Sequence, residues 1–118
     1  MVDDCIFCKI IAGDIPSSKV YEDEEVLAFL DISQVTPGHT LVVPKKHARN
    51  LLEMDETATA QLFARVSKVA KKVEAATQAK GMNIISNMEE VSGQTVFHTH
   101  VHIIPRYSDQ DVACHFFY

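Results

Sequence analysis

Three features that would direct a protein to nucleic acid or into a membrane are missing from this sequence. Acidic residues outnumber basic ones, 16 against 11, and the net charge of −5 leaves no basic surplus for binding nucleic acid or an anionic membrane surface. No stretch of about 18 apolar residues is present, so no membrane-spanning helix is predicted. The short acidic start, Met1-Val2-Asp3-Asp4, is unlike a signal peptide, and we therefore expect a cytoplasmic protein.

The sequence also lacks the cysteine content of a disulfide-stabilised protein. It has three cysteines, an odd number, and two of them, Cys5 and Cys8, form a C-x-x-C pair. This spacing indicates a metal site or a redox pair rather than a disulfide framework. Internal repeats, linkers and low-complexity segments are missing too, so residues 1–118 are expected to form a single domain.

What the sequence does contain is a clear pattern of helix and strand segments. Apolar residues at positions 6, 7, 10 and 11 predict a short helix over 4–12 that ends at Gly13. A long helix is predicted from Asp55 as N-cap to Lys80-Gly81 as C-cap, because apolar residues recur three and four apart. Strands are predicted at residues 19–23, 26–32, 39–44, 82–87 and 96–105. The order predicts an α+β domain with a five-stranded, mainly antiparallel sheet.

One short stretch holds three of the six histidines. His98, His100 and His102 alternate with residues that favour strands. Alternate side chains of a strand share a face and lie about 6–7 Å apart, so the three imidazoles would form a row. That spacing is too wide for all three to bind one metal ion, and it favours different roles along an extended substrate.

The segment from His98 to Ile104 resembles the His-x-His-x-His-x-x signature of the histidine-triad (HIT) superfamily, and in particular its bacterial Hint-type branch. Thr99 departs from the signature, which prefers an apolar residue there, although a β-branched residue suits a strand. The resemblance implies an antiparallel sheet with two helices, a homodimer, and nucleotide hydrolase or transferase activity. It covers most of the chain from Cys5 to Arg106, through residues 5–11, 28–32, 38–45 and 87–95.

The resemblance also implies a role for each polar group of the site. His100 would be the nucleophile, because a neutral imidazole nitrogen can attack phosphorus and form a nucleotidyl-histidine that water then hydrolyses. His102 would bind the phosphate and pass a proton to the leaving group, with His39 in the same proton network. Asp31 would accept hydrogen bonds from the ribose hydroxyls.

Phosphate and base would be bound by two further groups of residues. The phosphate would contact Asn87 and Thr95, and the N–H groups around Gly93-Gln94-Thr95 could face the anion, since Gly93 lets the backbone approach closely. Such a pocket can be locally positive in an acidic protein. The base would lie in an apolar slot formed by Ile6, Phe7, Ile10, Phe29 and Ile32.

A structural zinc ion is the implied cofactor. Cys5 and Cys8 provide half of a tetrahedral site, and His47 and His98 match the family positions that complete it. Such a closed site would leave His100 available for chemistry. Cys114-His115 are rival ligands, and a redox pair or two buried thiols are the alternatives to zinc.

The resemblance, together with these residues, implies an enzyme that cleaves the α-phosphate linkage of purine nucleoside phosphoramidates or related AMP conjugates. Hydrolysis of dinucleoside polyphosphates by the same mechanism is the closest alternative. A non-catalytic nucleotide-binding or interaction protein would keep the pocket without turnover. A zinc-binding structural module would fold only with zinc and would have no affinity for nucleotides.

Overall fold

The computed structural model describes residues 4–111, which form two α-helices and five strands connected by loops and two short 3₁₀ helices. Within this range, no helix is both long enough and apolar enough to cross a lipid bilayer. Cys114 and His115, the rival metal ligands, lie outside the described residues. The elements are α1 (Ile6–Ala12), β1 (Lys19–Glu22), β2 (Val26–Leu30), β3 (Thr40–Pro44), α2 (Glu56–Thr77), β4 (Gly81–Ile85) and β5 (Val101–Arg106).

The five strands form one antiparallel sheet in the order β1-β2-β3-β5-β4. The predicted α+β architecture, with a short N-terminal helix and one long helix, is therefore confirmed. β5 lies between β3 and β4, where His102 is opposite Leu41 on one side and Ile85 on the other. The strand that begins just after His100 is thus held by neighbours on both edges.

The alternation of side chains along the strands produces two apolar layers. On one face of the sheet α2 buries Leu62, Val66, Val69 and Val73 against strand residues that include Val42. The other face packs against α1 through a second buried cluster. Burial of each such aliphatic side chain contributes about 1.5–3 kcal/mol. The members of the second cluster are Cys5, Phe7, Cys8, Ile10, Leu27, Phe29, Leu41 and Val43.

Of the three helix ends that the sequence predicts, the structure agrees with two. Helix α1 ends at Gly13 in a left-handed conformation (φ 86°), and α2 begins at Asp55, whose side chain accepts the N–H of Ala58. The predicted end at Lys80-Gly81 is wrong, because Gln78 takes the left-handed conformation (φ 57°) and its N–H donates to Glu74. Gly81 instead opens β4.

The last strand begins later than its sequence predicts. It was expected from Val96, but β5 starts at Val101, so His98 and His100 lie in irregular backbone before it. The reason is a contact from outside the sheet, since the N–H of Thr99 donates to the carbonyl of Ala48 at 2.8 Å. The prediction that the three histidines form a row on one strand face is therefore wrong. Only His102 lies in β5, and His98 and His100 lie in the loop before it.

Candidate active site and metal centre

A cavity of about 820 Å³ opens between α1, the end of β2 and the segment that leads into β5. His100, His102 and Asp31 lie on its polar side, together with Thr95. All five residues predicted for the base slot line it as well. Of these, Phe7, Ile10 and Phe29 are buried, whereas Ile6 and Ile32 are exposed at the rim.

His100 projects into this cavity with one ring nitrogen already engaged. Its Nδ1 lies 2.7 Å from the carbonyl oxygen of His98, so Nδ1 carries a proton and donates it. In the neutral ring the lone pair is then on Nε2, the nitrogen available for nucleophilic attack. Burial lowers the pKa of His100 below its ordinary value, which keeps the ring neutral near pH 7. The ring of Phe7 packs edge-on against it, with centroids 5.1 Å apart.

Three polar groups form a contiguous row beside His100. The rings of His100 and His102 have centroids 5.0 Å apart, and Nδ1 of His102 lies 3.0 Å from Nε2 of His39. The same nitrogen of His39 lies 3.5 Å from Oδ2 of Asp31. Burial lowers the pKa of His39, while the charge of Asp31 opposes that shift. The row can relay a proton between the cavity and the carboxylate.

Of the groups in the loop before β5 that were predicted to contact the phosphate, only some face the cavity. Thr95 lines the cavity, as expected for a phosphate ligand. The N–H groups of Gly93 and Gln94 instead donate to the carbonyls of Glu90 and Glu89, at 2.9 and 3.2 Å. The expectation that these two N–H groups face an anion is therefore wrong. Gly93 is required for its backbone conformation, since its φ of 108° is disfavoured for residues with a Cβ.

Asn87 is half-buried at the start of the same loop. The hydroxyl of its neighbour Ser86 donates to the carbonyl of His100 at 2.9 Å, which ties the end of β4 to the backbone of His100. This contact of Ser86 was not predicted from the sequence, because a serine at the end of a predicted strand does not indicate a hydrogen bond to a distant carbonyl.

Cys5, Cys8, His47 and His98 converge at a second site, next to the cavity. Their ligand atoms all lie within 4.8 Å of one another. Nδ1 of His98 is 3.4 Å from Cys5 Sγ, 3.6 Å from Cys8 Sγ and 3.1 Å from His47 Nδ1, and Cys8 Sγ is 3.4 Å from His47 Nδ1. A tetrahedral zinc site, with Zn–S about 2.3 Å and Zn–N about 2.0 Å, has edges of about 3.3 to 3.8 Å. The four residues therefore fit zinc.

The protonation of this second site also fits a metal ion. Nε2 of His98 lies 2.8 Å from the carbonyl of Pro44 and donates to it, which leaves the lone pair on Nδ1, the nitrogen that faces the thiols. Burial lowers the pKa of His98 to about 4 and raises the pKa of Cys5, so without a metal ion both groups are neutral near pH 7. A zinc ion would bind the thiols as thiolates and release their protons.

In a comparison with known protein families, residues 12–109 match the HIT domain. The chain belongs to the HIT family. Protein hit of Bacillus subtilis (strain 168) is 57% identical over 109 residues, which are 92% of this chain and 75% of that protein. The crystal structure of a Streptococcus mutans UA159 protein superimposes with a TM-score of 0.93 at 61% identity, over 100% of this chain and 75% of that one. The fold and the histidine-triad resemblance are thus confirmed.

Two further HIT relatives bear on the chemistry. A Zn-bound histidine triad family protein of Mycobacterium smegmatis has a TM-score of 0.88 at 38% identity, over 94% of this chain and 81% of that one. Adenylylsulfatase HINT3 of Arabidopsis thaliana is 39% identical over 104 residues, which are 88% of this chain and 53% of that protein.

The one departure from the HIT signature is explained by a tertiary contact. Thr99 is buried, and its hydroxyl donates to the carbonyl of Ala48 at 3.1 Å, beside the backbone bond from its own N–H. A hydroxyl buried with a partner is not destabilising, in contrast to one buried alone. Thr99 therefore anchors the backbone between His98 and His100 to the segment that carries His47.

Proposed function

We propose that this chain is a HIT hydrolase or transferase that cleaves the α-phosphate linkage of purine nucleoside phosphoramidates or related AMP conjugates. The observation that carries the proposal is the tautomer of His100. Its Nδ1 donates to the carbonyl of His98, so Nε2 is a neutral nucleophile at the edge of a cavity large enough for a nucleotide. Relatives described as hydrolases support the reaction class.

The reaction takes place in two steps. Nε2 of His100 attacks the α-phosphorus, a P–N bond to the histidine forms, and the bond to the leaving group breaks. His102 donates a proton to the departing amine or oxygen, which would otherwise be a poor leaving group. Water then attacks the nucleotidyl-histidine and gives a proton back to His102, the P–N bond to His100 breaks, and AMP leaves. The contact between His102 and His39, at 3.0 Å, lets the row of polar groups exchange the protons involved.

The cavity supports a nucleotide as the substrate. We assign the purine base to its apolar wall, which includes Phe7 and Phe29, whose rings pack edge to face with centroids 5.7 Å apart. We assign Thr95 and Asn87 to the phosphate. Asp31 is assigned to the ribose, and one of its oxygens already accepts the N–H of Ser33 at 2.9 Å.

We assign zinc to Cys5, Cys8, His47 and His98, as a structural ion. Four protein ligands close the site, so zinc would join the start of α1 to the segment after β3 and to the loop before β5. The catalytic steps then belong to His100, His102 and His39, and the zinc ligands take no part in them.

We place the protein in the cytoplasm as a homodimer. The two free thiols, Cys5 and Cys8, suit a reducing compartment.

In the proposed homodimer, the second copy would bind at the open edge of the sheet, at β4, where Ile84 is exposed. Sedimentation at several protein concentrations tests the dimer, and a constant monomer mass at micromolar concentration would contradict it.

The decisive experiment uses the wild-type protein and His100→Ala. Turnover of an adenosine phosphoramidate should fall by at least about 10³-fold in the variant, because the nucleophile is lost. The wild type, quenched in mid-reaction, should carry an AMP adduct on His100 by mass spectrometry. An unchanged melting temperature shows that the variant is folded. Wild-type turnover in His100→Ala would refute the mechanism.

The same preparation should be offered a dinucleoside polyphosphate. Faster turnover of that compound than of the phosphoramidate would move the assignment to the alternative substrate class. Tight binding of AMP without turnover of either compound would identify a nucleotide-binding protein instead of an enzyme.

A further inference from the structure

The loop between β4 and β5 contains a strained residue. Glu89 has φ 76° and ψ 159°, a conformation that residues with a Cβ rarely adopt. Such a conformation persists only where the surrounding contacts enforce it, and it often occurs at functional sites.

The contacts that enforce it come from the segment that follows His47. Arg49 binds the carboxylate of Glu89 with two parallel hydrogen bonds, from Nε at 2.8 Å and from Nη2 at 2.9 Å. The side chain of the buried Asn50 adds a third hydrogen bond, at 2.7 Å. The guanidinium of Arg49 also stacks over the ring of Phe97, with Cζ 4.1 Å from the centroid. Arg49 therefore contacts the loop at two positions, Glu89 and Phe97.

Gln94 connects this pair to the wall of the cavity. Its buried side chain accepts the N–H of Glu89 at 2.8 Å and donates to the carbonyl of Arg49 at 2.7 Å. Its own N–H donates to the carbonyl of Glu89 at 3.2 Å. Thr95, the next residue, lines the substrate cavity beside His100. The position of Thr95 therefore depends on a residue pair that does not itself line that cavity.

We propose that Arg49 and Glu89 form a clamp that sets the position of Thr95 in the substrate cavity, and that both are positioning residues for the reaction. The inference rests on the proposed function for its kinetic consequence. Its structural consequence, an ordered Gln94-Thr95 backbone, does not depend on that function. The clamp acts through Gln94 and contributes no atom to the reacting groups.

The test compares Arg49→Lys and Glu89→Gly with Arg65→Lys as the matched control. Lys keeps the charge of Arg49 but loses the two-pronged contact. Gly removes the carboxylate and tolerates the backbone conformation, so Glu89→Gly separates loss of the clamp from loss of stability. Arg65 also pairs with a carboxylate, through a single hydrogen bond from Nε to Asp23 at 2.9 Å, on the side of the sheet that carries α2 and away from the substrate cavity.

In both clamp variants, kcat on an adenosine phosphoramidate should fall by about 10- to 100-fold, with a smaller change in KM. The reason is that a displaced phosphate ligand weakens binding of the transition state more than binding of the substrate. Arg65→Lys should keep the wild-type kcat. A kcat of both clamp variants within about twofold of the control would overturn the kinetic role. So would a loss that tracks the melting temperature alone, as expected of a purely structural ion pair.

Hydrogen exchange decides the structural part without any turnover. The amide of Gln94 should exchange at least about tenfold faster in both clamp variants than in Arg65→Lys, since its bond to Glu89 opens more often. The affinity for AMP, used as the probe, should fall in the same two variants. Unchanged exchange would overturn the clamp. A wild-type protein that turns over no AMP conjugate, but shows this exchange pattern, would refute the proposed function and retain the clamp.

Discussion

At the scale of single residues, the candidate metal site and the candidate active site differ in which ring nitrogen of their histidine carries the proton. His98 donates Nε2–H to Pro44 and turns Nδ1 to the cysteines, whereas His100 donates Nδ1–H to the carbonyl of His98 and keeps Nε2 for the cavity. Two residues apart in sequence, they thus present different nitrogens to different neighbours. This difference supports our proposal that His98 binds the metal ion and His100 is the nucleophile.

Thr99, between them, allows a direct test of its anchoring role. Thr99→Val preserves the shape and removes the hydroxyl, so the carbonyl of Ala48 keeps only its backbone partner. We expect the free energy of unfolding to fall by about 1 kcal/mol, the typical net value of one hydrogen bond. Urea unfolding measures this. Thr57→Val, on the exposed surface of α2, is the control and should change stability by less than about 0.5 kcal/mol.

At the scale of secondary-structure elements, the turn between β1 and β2 is built around one carboxylate. Oδ1 of Asp23 accepts the N–H groups of Glu25 and Val26, while Oδ2 accepts Tyr21 and Nε of Arg65 from α2. The strands predicted at 19–23 and 26–32 leave only a short connection between them, which agrees with this turn. The sequence does not show that a helix 42 residues away supplies the counter-charge.

This turn should make stability depend on pH. Burial alone would raise the pKa of Asp23, but the hydrogen bonds from Tyr21 and Arg65 outweigh it and hold the pKa well below its ordinary value. A carboxyl group with a lowered pKa in the folded state stabilises the fold above its unfolded pKa of about 3.9 and loses that contribution as pH falls below it. Stability should therefore decline from about pH 5 downward.

Asp23→Asn tests this contribution. The amide oxygen can still accept the two backbone N–H groups, but the –NH2 group cannot accept from Tyr21 and Arg65, so the charge and these two hydrogen bonds are lost and the cost at pH 7 should be about 1–2 kcal/mol. Urea unfolding between pH 7 and pH 3 should give a flatter profile than the wild type. Asp14→Asn, on the exposed loop after α1, is the control and should keep the wild-type profile. Equal profiles for Asp23→Asn and the wild type would contradict the assignment.

At the scale of the whole molecule, the metal centre joins three separate parts of the chain. Cys8 meets His47 across 39 residues and His98 across 90. Because the four ligands meet only in the folded state, binding of zinc, as we propose it, would add directly to the free energy of folding. Loss of the ion should loosen both α1 and the loop before β5, which form two sides of the substrate cavity.

Removal of zinc should therefore destabilise the whole fold. The wild type, purified without chelator, should hold about one zinc per chain, and a strong chelator should lower Tm by more than about 10 °C. His98→Ala should retain less than about 0.2 zinc per chain and melt early. His100→Ala is the matched control and should keep its zinc and its Tm while losing turnover. Full zinc content in His98→Ala would contradict the four-ligand site.

Local patterns of the sequence were sufficient for the elements, whereas most of the site residues were predicted from the resemblance to the HIT superfamily. Helical spacing predicted both helices, and the β-branched runs predicted all five strands. The motif of His98, His100 and His102 and the Cys5–Cys8 pair identified the residues that the fold brings together. These features depend on neighbours a few positions apart, which the sequence shows directly.

The tertiary structure decided what depends on distant partners. The bond from Thr99 to Ala48 spans 51 residues and moves the start of β5 to Val101. The contact between His39 and His102 spans 63 residues and places the two rings at hydrogen-bond distance. The strained Glu89 is held by Arg49 from 40 residues away. Hydrogen bonds of this kind leave no periodic trace in sequence, because each is formed only when the packed sheet and helices bring its two ends together.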